Sequence, residues 1–201
     1  MPLLERRIYN ERWFNSDIQF NQVYPISIQK LAEKHWTALA VAKKIAGFLA
    51  AEKNVKILDI GSGVGKFCLS AAYYKPEASY FGIEQRRKLF CYAEAARETL
   101  HMTNVAFIEG NFTQVDFKKY DHFYFYNSFY ENLPGTNKID DSIEYSPELF
   151  NYYNRYLLKQ LEQKPAGTRL ATYHSLEDEI PKTYKEVSSD MNGLLKFWIK
   201  I

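Results

Sequence analysis

The chain has 201 residues, 46% apolar and 25% charged, which is ordinary globular composition and excludes a disordered or fibrous chain. Its 26 basic and 24 acidic side chains leave a net charge of +2, so charge alone neither requires nor forbids a nucleic-acid partner. Two cysteines, Cys68 and Cys91, without CxxC or a Cys/His cluster, exclude a disulfide framework and a structural metal site, and no apolar run approaches membrane-spanning length.

Residues 1–26 are mixed and aromatic and read as an extension, part helical, packed on the main domain. They lack the apolar stretch of a signal peptide, so the expected location is the reducing cytoplasm. From Ser27, a residue suited to an N-cap, the residues Ile28, Leu31, His35, Leu39, Ala42, Ile45 and Leu49 recur at spacings of three and four. That predicts one amphipathic helix. Residues 55–60 read as a buried strand, stopped by Gly61-Ser62-Gly63-Val64-Gly65. Residues 66–74 read as a helix ended by Pro76. Residues 79–84 form a second strand. Leu89, Ala93, Ala96 and Leu100 give the next helix its face, and Asn104 marks a turn. Residues 105–109 form a third strand, broken by Gly110. Residues 121–126 form an aromatic fourth strand in which Phe123 and Phe125 read as buried, and a loop with Pro134-Gly135 follows. Ser146-Pro147-Glu148 opens a helix as N-cap, first-turn proline and acid at the positive dipole end, with Phe150, Tyr153, Leu157 and Leu161 on its face. Pro165-Ala166-Gly167 ends it, and residues 168–174 form a fifth strand. Residues 184–188 and 194–201, flanking Asp190-Met191-Asn192-Gly193, read as a hairpin.

Alternating strands and helices predict an α/β fold. Its sheet is mostly parallel and seven-stranded, with an antiparallel C-terminal hairpin. Residues 1–50 form an N-terminal helical cap and residues 51–201 the main domain. Ligands of such sheets bind at the carboxyl ends of strands near the topological switch.

The glycine loop carries the strongest chemical signal. Glycines between a strand and a helix let a ligand approach backbone N–H groups at a helix N-terminus. A dinucleotide fingerprint needs G-x-G-x-x-G, whereas here Gly65 comes one residue early and Lys66 stands in the third glycine's place. The spacing V-K-I-L-D-I-G-S-G-V-G resembles motif I of the Rossmann-like (class I) S-adenosylmethionine (SAM) methyltransferases, and the resemblance runs from about Lys30 to Ile201. It implies SAM as cofactor. Asp59, Gly61, Ser62, Gly63 and Gly65 would lie about its amino-acid tail. Glu84, 19 residues after Gly65 and followed by Gln85, would take the ribose hydroxyls. Asn111, whose amide oxygen can accept from the adenine amino group, and Phe112, which can lie on the ring, stand where the family carries an acid and its neighbour.

Asp121-His122-Phe123-Tyr124-Phe125-Tyr126 runs into Asn127-Ser128-Phe129-Tyr130-Glu131. This segment is similar to the [Asp/Asn]-Pro-Pro-[Tyr/Phe/Trp] loop of amino-methylating enzymes, and to the Asn-Asn-Phe stretch of non-SET histone lysine methyltransferases. Ser128-Phe129 replaces the prolines. The resemblance implies methyl transfer to nitrogen. Asn127 would accept from a substrate N–H, Phe129 or Tyr130 would stack on a planar substrate, and Tyr126 would face the sulfonium. Asn127 and Tyr130 are the catalytic candidates. Glu131 reads first as a solvated acid and second as a proton acceptor. Gln85-Arg86-Arg87-Lys88 reads first as a solvated helix start and second as an anion contact. His35-Trp36-Thr37 is similar to a Phe-Thr-Pro stretch that touches SAM in DNA amino-methyltransferases. Trp36 and Thr37 are therefore either cofactor contacts or residues of an ordinary helix. His35, His101, His122 and His174 show no ligand spacing.

The expected function is SAM-dependent methyl transfer to a nitrogen of a small-molecule or protein acceptor. The alternatives are a SAM-binding scaffold or sensor without turnover, and an NAD-type oxidoreductase.

Overall fold

A computed structural model describes residues 11–175 and 179–201. Residues 1–10, the start of the expected extension, lie outside the described residues. Seven strands form one sheet: β1 (Lys56–Ile60), β2 (Ser79–Glu84), β3 (Val105–Glu109), β4 (His122–Phe125), β5 (Arg169–Tyr173), β6 (Tyr184–Asp190) and β7 (Leu195–Lys200). The order is β3-β2-β1-β4-β5-β7-β6. The first five strands run parallel, and β7 lies antiparallel between β5 and β6. The chain winds outward through β2 and β3 on one side of β1, then resumes at β4 on the other. The switch between β1 and β4 leaves a crevice at their carboxyl ends.

Strand alternation divides the core. In β1, Ile57 packs into one cluster and Leu58 and Ile60 into another; in β4, Tyr124 joins the first and Phe123 and Phe125 the second. The first face is covered by α4 (Leu39–Leu49), α5 (Lys66–Tyr74) and α6 (Arg87–Thr99). The second is covered by α7 (Pro147–Glu162) through Leu157 and Leu161, with Phe112 and Phe117 from two short 3₁₀ turns. Ser146 caps α7 by accepting from the Leu149 N–H at 3.1 Å.

The single helix expected from Ser27 to Leu49 is instead three pieces. These are α2 (Ile26–Gln29), α3 (Ala32–His35) and α4, preceded by a short α1 (Asp17–Asn21). Pro25, not Ser27, stands at the N-cap of α2 and makes no side-chain cap. Trp36 and Ala38 are extended. Two long-range bonds reward that break. The Thr37 hydroxyl meets the buried Tyr124 hydroxyl at 2.8 Å, and Asp17 Oδ1 accepts from the Leu39 N–H at 3.0 Å, capping α4 from outside. The apolar spacing persists because all the pieces face the same core.

Candidate functional site

A cavity of about 620 Å³ opens at the β1–β4 switch. Trp36, Gly61, Gly63, Glu84, Gln85 and Asn111 line it, together with Phe112, Tyr126, Asn127 and Tyr130. These ten candidates come together from five separate loops. Asp59, Ser62, Gly65 and Thr37 do not join them.

Each exclusion has a packing reason. Asp59 is buried beneath the loop with Cys68 Sγ donating to its Oδ2 at 3.7 Å, and burial pushes its carboxyl up to about 8. Ser62 Oγ is buried without a partner among the described residues and would lie 2.6 Å from a Cβ on Gly82, so Ser62 packs on β2. A Cβ on Gly65 would meet the Phe107 ring at 2.2 Å; Gly65 lets α5 approach the sheet. Thr37 is committed to Tyr124. By contrast, Gly63, at φ +55, has nothing within 4 Å of a built Cβ and faces the open cavity.

The Glu84 carboxylate accepts from the Gly63 N–H at 2.9 Å and the Arg86 N–H at 2.8 Å. Burial raises its pKa, and those N–H groups with the Arg86 charge oppose the rise. Arg86 is only 6% exposed. Its guanidinium reaches Glu131 at 2.7 Å, the Tyr145 hydroxyl at 2.8 Å, Asp140 at 3.3 Å and Glu84 at 3.7 Å. Burial works against its charge, but Glu131 and Glu84 outweigh it and hold the group above its ordinary value. Arg86 is therefore no solvated helix start. Glu131 is neither a solvated acid nor a free base, for it also accepts from the Ile139 N–H.

Asn111 Oδ1 accepts from the backbone and the hydroxyl of Thr113, and its Nδ2 donates to the Tyr153 hydroxyl at 2.8 Å. Its oxygen caps a turn and is not free for an adenine amino group. Asn132, which the sequence did not single out, has such an oxygen. It lines the cavity at 6% exposure, and its Oδ1 has no partner among the described residues. Phe129 stacks on Phe112 at 4.8 Å and is 4% exposed, so it lines the cavity from the core, whereas Tyr130 is 49% exposed and the more open of the two rings. Tyr126, whose hydroxyl donates to the Lys34 carbonyl, packs on Tyr173 at 4.7 Å; burial pushes its pKa up to about 12. Asn127, at φ +39, has a side-chain amide without a partner among the described residues.

Ser128 explains the lost proline. Its hydroxyl donates to the Ile60 carbonyl at 2.6 Å, and its Cβ sits where a Cβ on Gly61 would fall. Lys66, in the place of a dinucleotide fold's third glycine, is 4% exposed and donates to Asp17 at 2.6 Å and Asn21 at 2.9 Å, tying the N-terminal segment to α5. The Tyr24 hydroxyl donates to the Val64 carbonyl alongside it. Neither bond has a local signature in the sequence. His35 and His174, dismissed for want of spacing, both line the cavity. The expected convergence of strand ends pointed toward His174, since it ends the fifth strand. Among the described residues no three His, Cys, Asp or Glu side chains cluster as a metal site requires, and no helix is long and apolar enough to cross a membrane.

A methyltransferase domain family model matches residues 51–198. The tRNA (guanine-N(7)-)-methyltransferase of Microcystis aeruginosa is 46% identical over 54 residues, 27% of this chain and 26% of that protein. The release factor glutamine methyltransferase of Flavobacterium psychrophilum is 32% identical over 99 residues, 48% of this chain and 34% of that protein. The chain thus spans only a quarter to a third of these relatives. Its fold is similar to that of magnesium protoporphyrin IX methyltransferase from Synechocystis PCC 6803 with bound SAM, at TM-score 0.59 and 17% identity over 98% of this chain and 97% of that one.

Proposed function

The chain belongs to the methyltransferase domain family, a class I SAM-dependent fold, and from that premise we propose that it methylates a nitrogen of a small-molecule or protein acceptor. The observation that carries this reading is one cavity lined both by bare glycine backbone and by an Asn127 amide that has no partner among the described residues.

The residues present fit SAM. Gly63 leaves open space where any side chain would intrude, and Asn132 Oδ1 is a buried acceptor without a donor among the described residues. A carboxylate has about four lone-pair sites, so Glu84 retains capacity for ribose hydroxyls after its two backbone bonds. In this reading Gly61 and Gly63 receive the amino-acid tail, Glu84 the ribose, and Gln85, Phe112 and Asn132 the adenine. Asn111 acts through Tyr153 as a positioning residue. When bound, SAM supplies an electrophilic methyl group. The chain's own work is to orient the acceptor through Asn127, flank it with Tyr126 and Tyr130, and exclude water under the helices of residues 11–50. The named relatives, one for a guanine N7 and one for a glutamine, support a nitrogen acceptor.

Thermal unfolding with S-adenosylhomocysteine tests the cofactor site. At 100 times its dissociation constant the ligand adds about 2.7 kcal/mol of stability. The gain is expected in wild type, absent in Gly63→Arg, and absent with NADH. Methyl-labelled SAM then tests transfer to amines, glutamine peptides and tRNA, with Asn127→Ala lowering turnover about 100-fold. Stabilisation without transfer to any acceptor would favour a sensor.

A further inference from the structure

The last ladder pair between β4 and β5 is Phe125 with Thr172. Two residues beyond it on each strand stand Asn127 and His174. Both line the cavity, and both hold left-handed backbone, at φ +39 and φ +57. Neither side chain has a hydrogen-bond partner among the described residues. Paired non-glycine residues in this sparsely populated region mark a place where geometry is imposed at some cost. The His174 ring stacks on Tyr126 at 5.7 Å and meets Tyr173 edge-on at 4.3 Å, which fixes its plane.

We propose that His174 is the proton acceptor of the methyl-acceptor subsite, and that with Asn127 it selects a reacting nitrogen that carries hydrogen, an amine or amide, over a ring nitrogen that carries none. The inference rests on the methyltransferase reading above. The chemistry balances. The acceptor nitrogen's lone pair forms the bond to the methyl carbon, the sulfur–carbon bond breaks with its electron pair kept by sulfur, and the nitrogen's proton passes to the imidazole and on to water. Asn127 Oδ1 holds that N–H beforehand, so the lone pair has one direction. A nitrogen without hydrogen, such as a guanine N7, has no use for either group.

The imidazole is suited to the role because partial burial lowers its pKa, leaving it neutral near pH 7. Tyr126 and Tyr173 face it, and Glu33, Lys34 and His35 line the same cavity from α3 and its flank. Tyr126 stays protonated throughout the relevant range. Glu131, another basic group of the cavity, is already held by Arg86, and Glu33 and His35 come from α3 and not from the β4–β5 ends that carry Asn127.

Calorimetric titration with two probes tests the proposal without knowledge of the acceptor. S-adenosylhomocysteine has nothing at the methyl position; sinefungin carries an ammonium group there. In His174→Asn and Asn127→Ala the homocysteine product is expected to bind within about 2-fold of wild type, and sinefungin about 10-fold or more weakly. His174→Gly, which suits the backbone, repeats the measurement without a folding risk. In wild type the preference for sinefungin falls as pH drops through the imidazole pKa, because imidazolium repels ammonium. In His174→Asn that dependence flattens. Unchanged sinefungin binding in both His174 variants, or a pH dependence that survives them, overturns the proposal. If wild type binds neither probe, the cofactor reading itself fails and this inference falls with it.

Discussion

At the β2 end of the cavity, Glu84, Arg86 and Glu131 satisfy one another inside the fold. At the β4–β5 end, the side chains of Asn127 and His174 have no hydrogen-bond partner among the described residues. The first region invests in rigidity. Its acceptors are already fixed by backbone N–H groups and a buried guanidinium, which suits the cofactor role proposed for Glu84. The second holds strained backbone and open side chains, which is how a site looks when its missing partners belong to a substrate. The difference separates what this protein must hold from what it must recognise.

Three changes would break or sharpen that contrast. Arg86→Met removes the counter-charge from Glu84, Glu131 and Asp140 at once. It is expected to lower stability by about 3–5 kcal/mol in urea unfolding; a loss below 1 kcal/mol would mean the β2 end is less committed than its geometry implies. The next effect concerns pH. The folded Asp59 carboxyl titrates near 8, far above its unfolded value, so the folded state keeps a proton that the unfolded chain releases. The contribution of this carboxyl to stability is therefore greatest on the acid side and falls by about 1.4 kcal/mol per unit as pH rises toward 8. Asp59→Asn should remove that fall, measured as urea midpoints from pH 5 to 8. The smallest effect has the opposite sign. His174→Gly relieves left-handed strain and should raise stability by up to about 1 kcal/mol while emptying the acceptor end. Destabilisation by 2 kcal/mol or more would make His174 a structural residue.

What could be read in advance was local. The glycine loop, the helix at Lys66–Tyr74, the Ser146 cap and the terminal hairpin are each specified by neighbours within a few residues, and all are present. The break at Trp36–Ala38 could not be read, because Thr37 and Leu39 are satisfied by Tyr124 and Asp17 from distant parts of the chain. The same holds for the site. Asn127 and Glu84 announced themselves through motifs. Arg86 looked like one of several surface bases until Glu131 and Asp140, 45 and 54 residues away, closed around it. His174 lacked any spacing, and only the course of β4 and β5 beyond their last ladder pair, Phe125 with Thr172, brings it to the cavity that Asn127 also lines.

The Ser128 bond to the Ile60 carbonyl joins the loop after β1 to the loop after β4. A ligand that tightens one of these loops restricts the other. By thermodynamic linkage, the factor by which bound cofactor improves acceptor affinity equals the factor by which bound acceptor improves cofactor affinity. The Ser128 hydroxyl thus couples the two ends of the cavity, so that each ligand prepares the fold for the other.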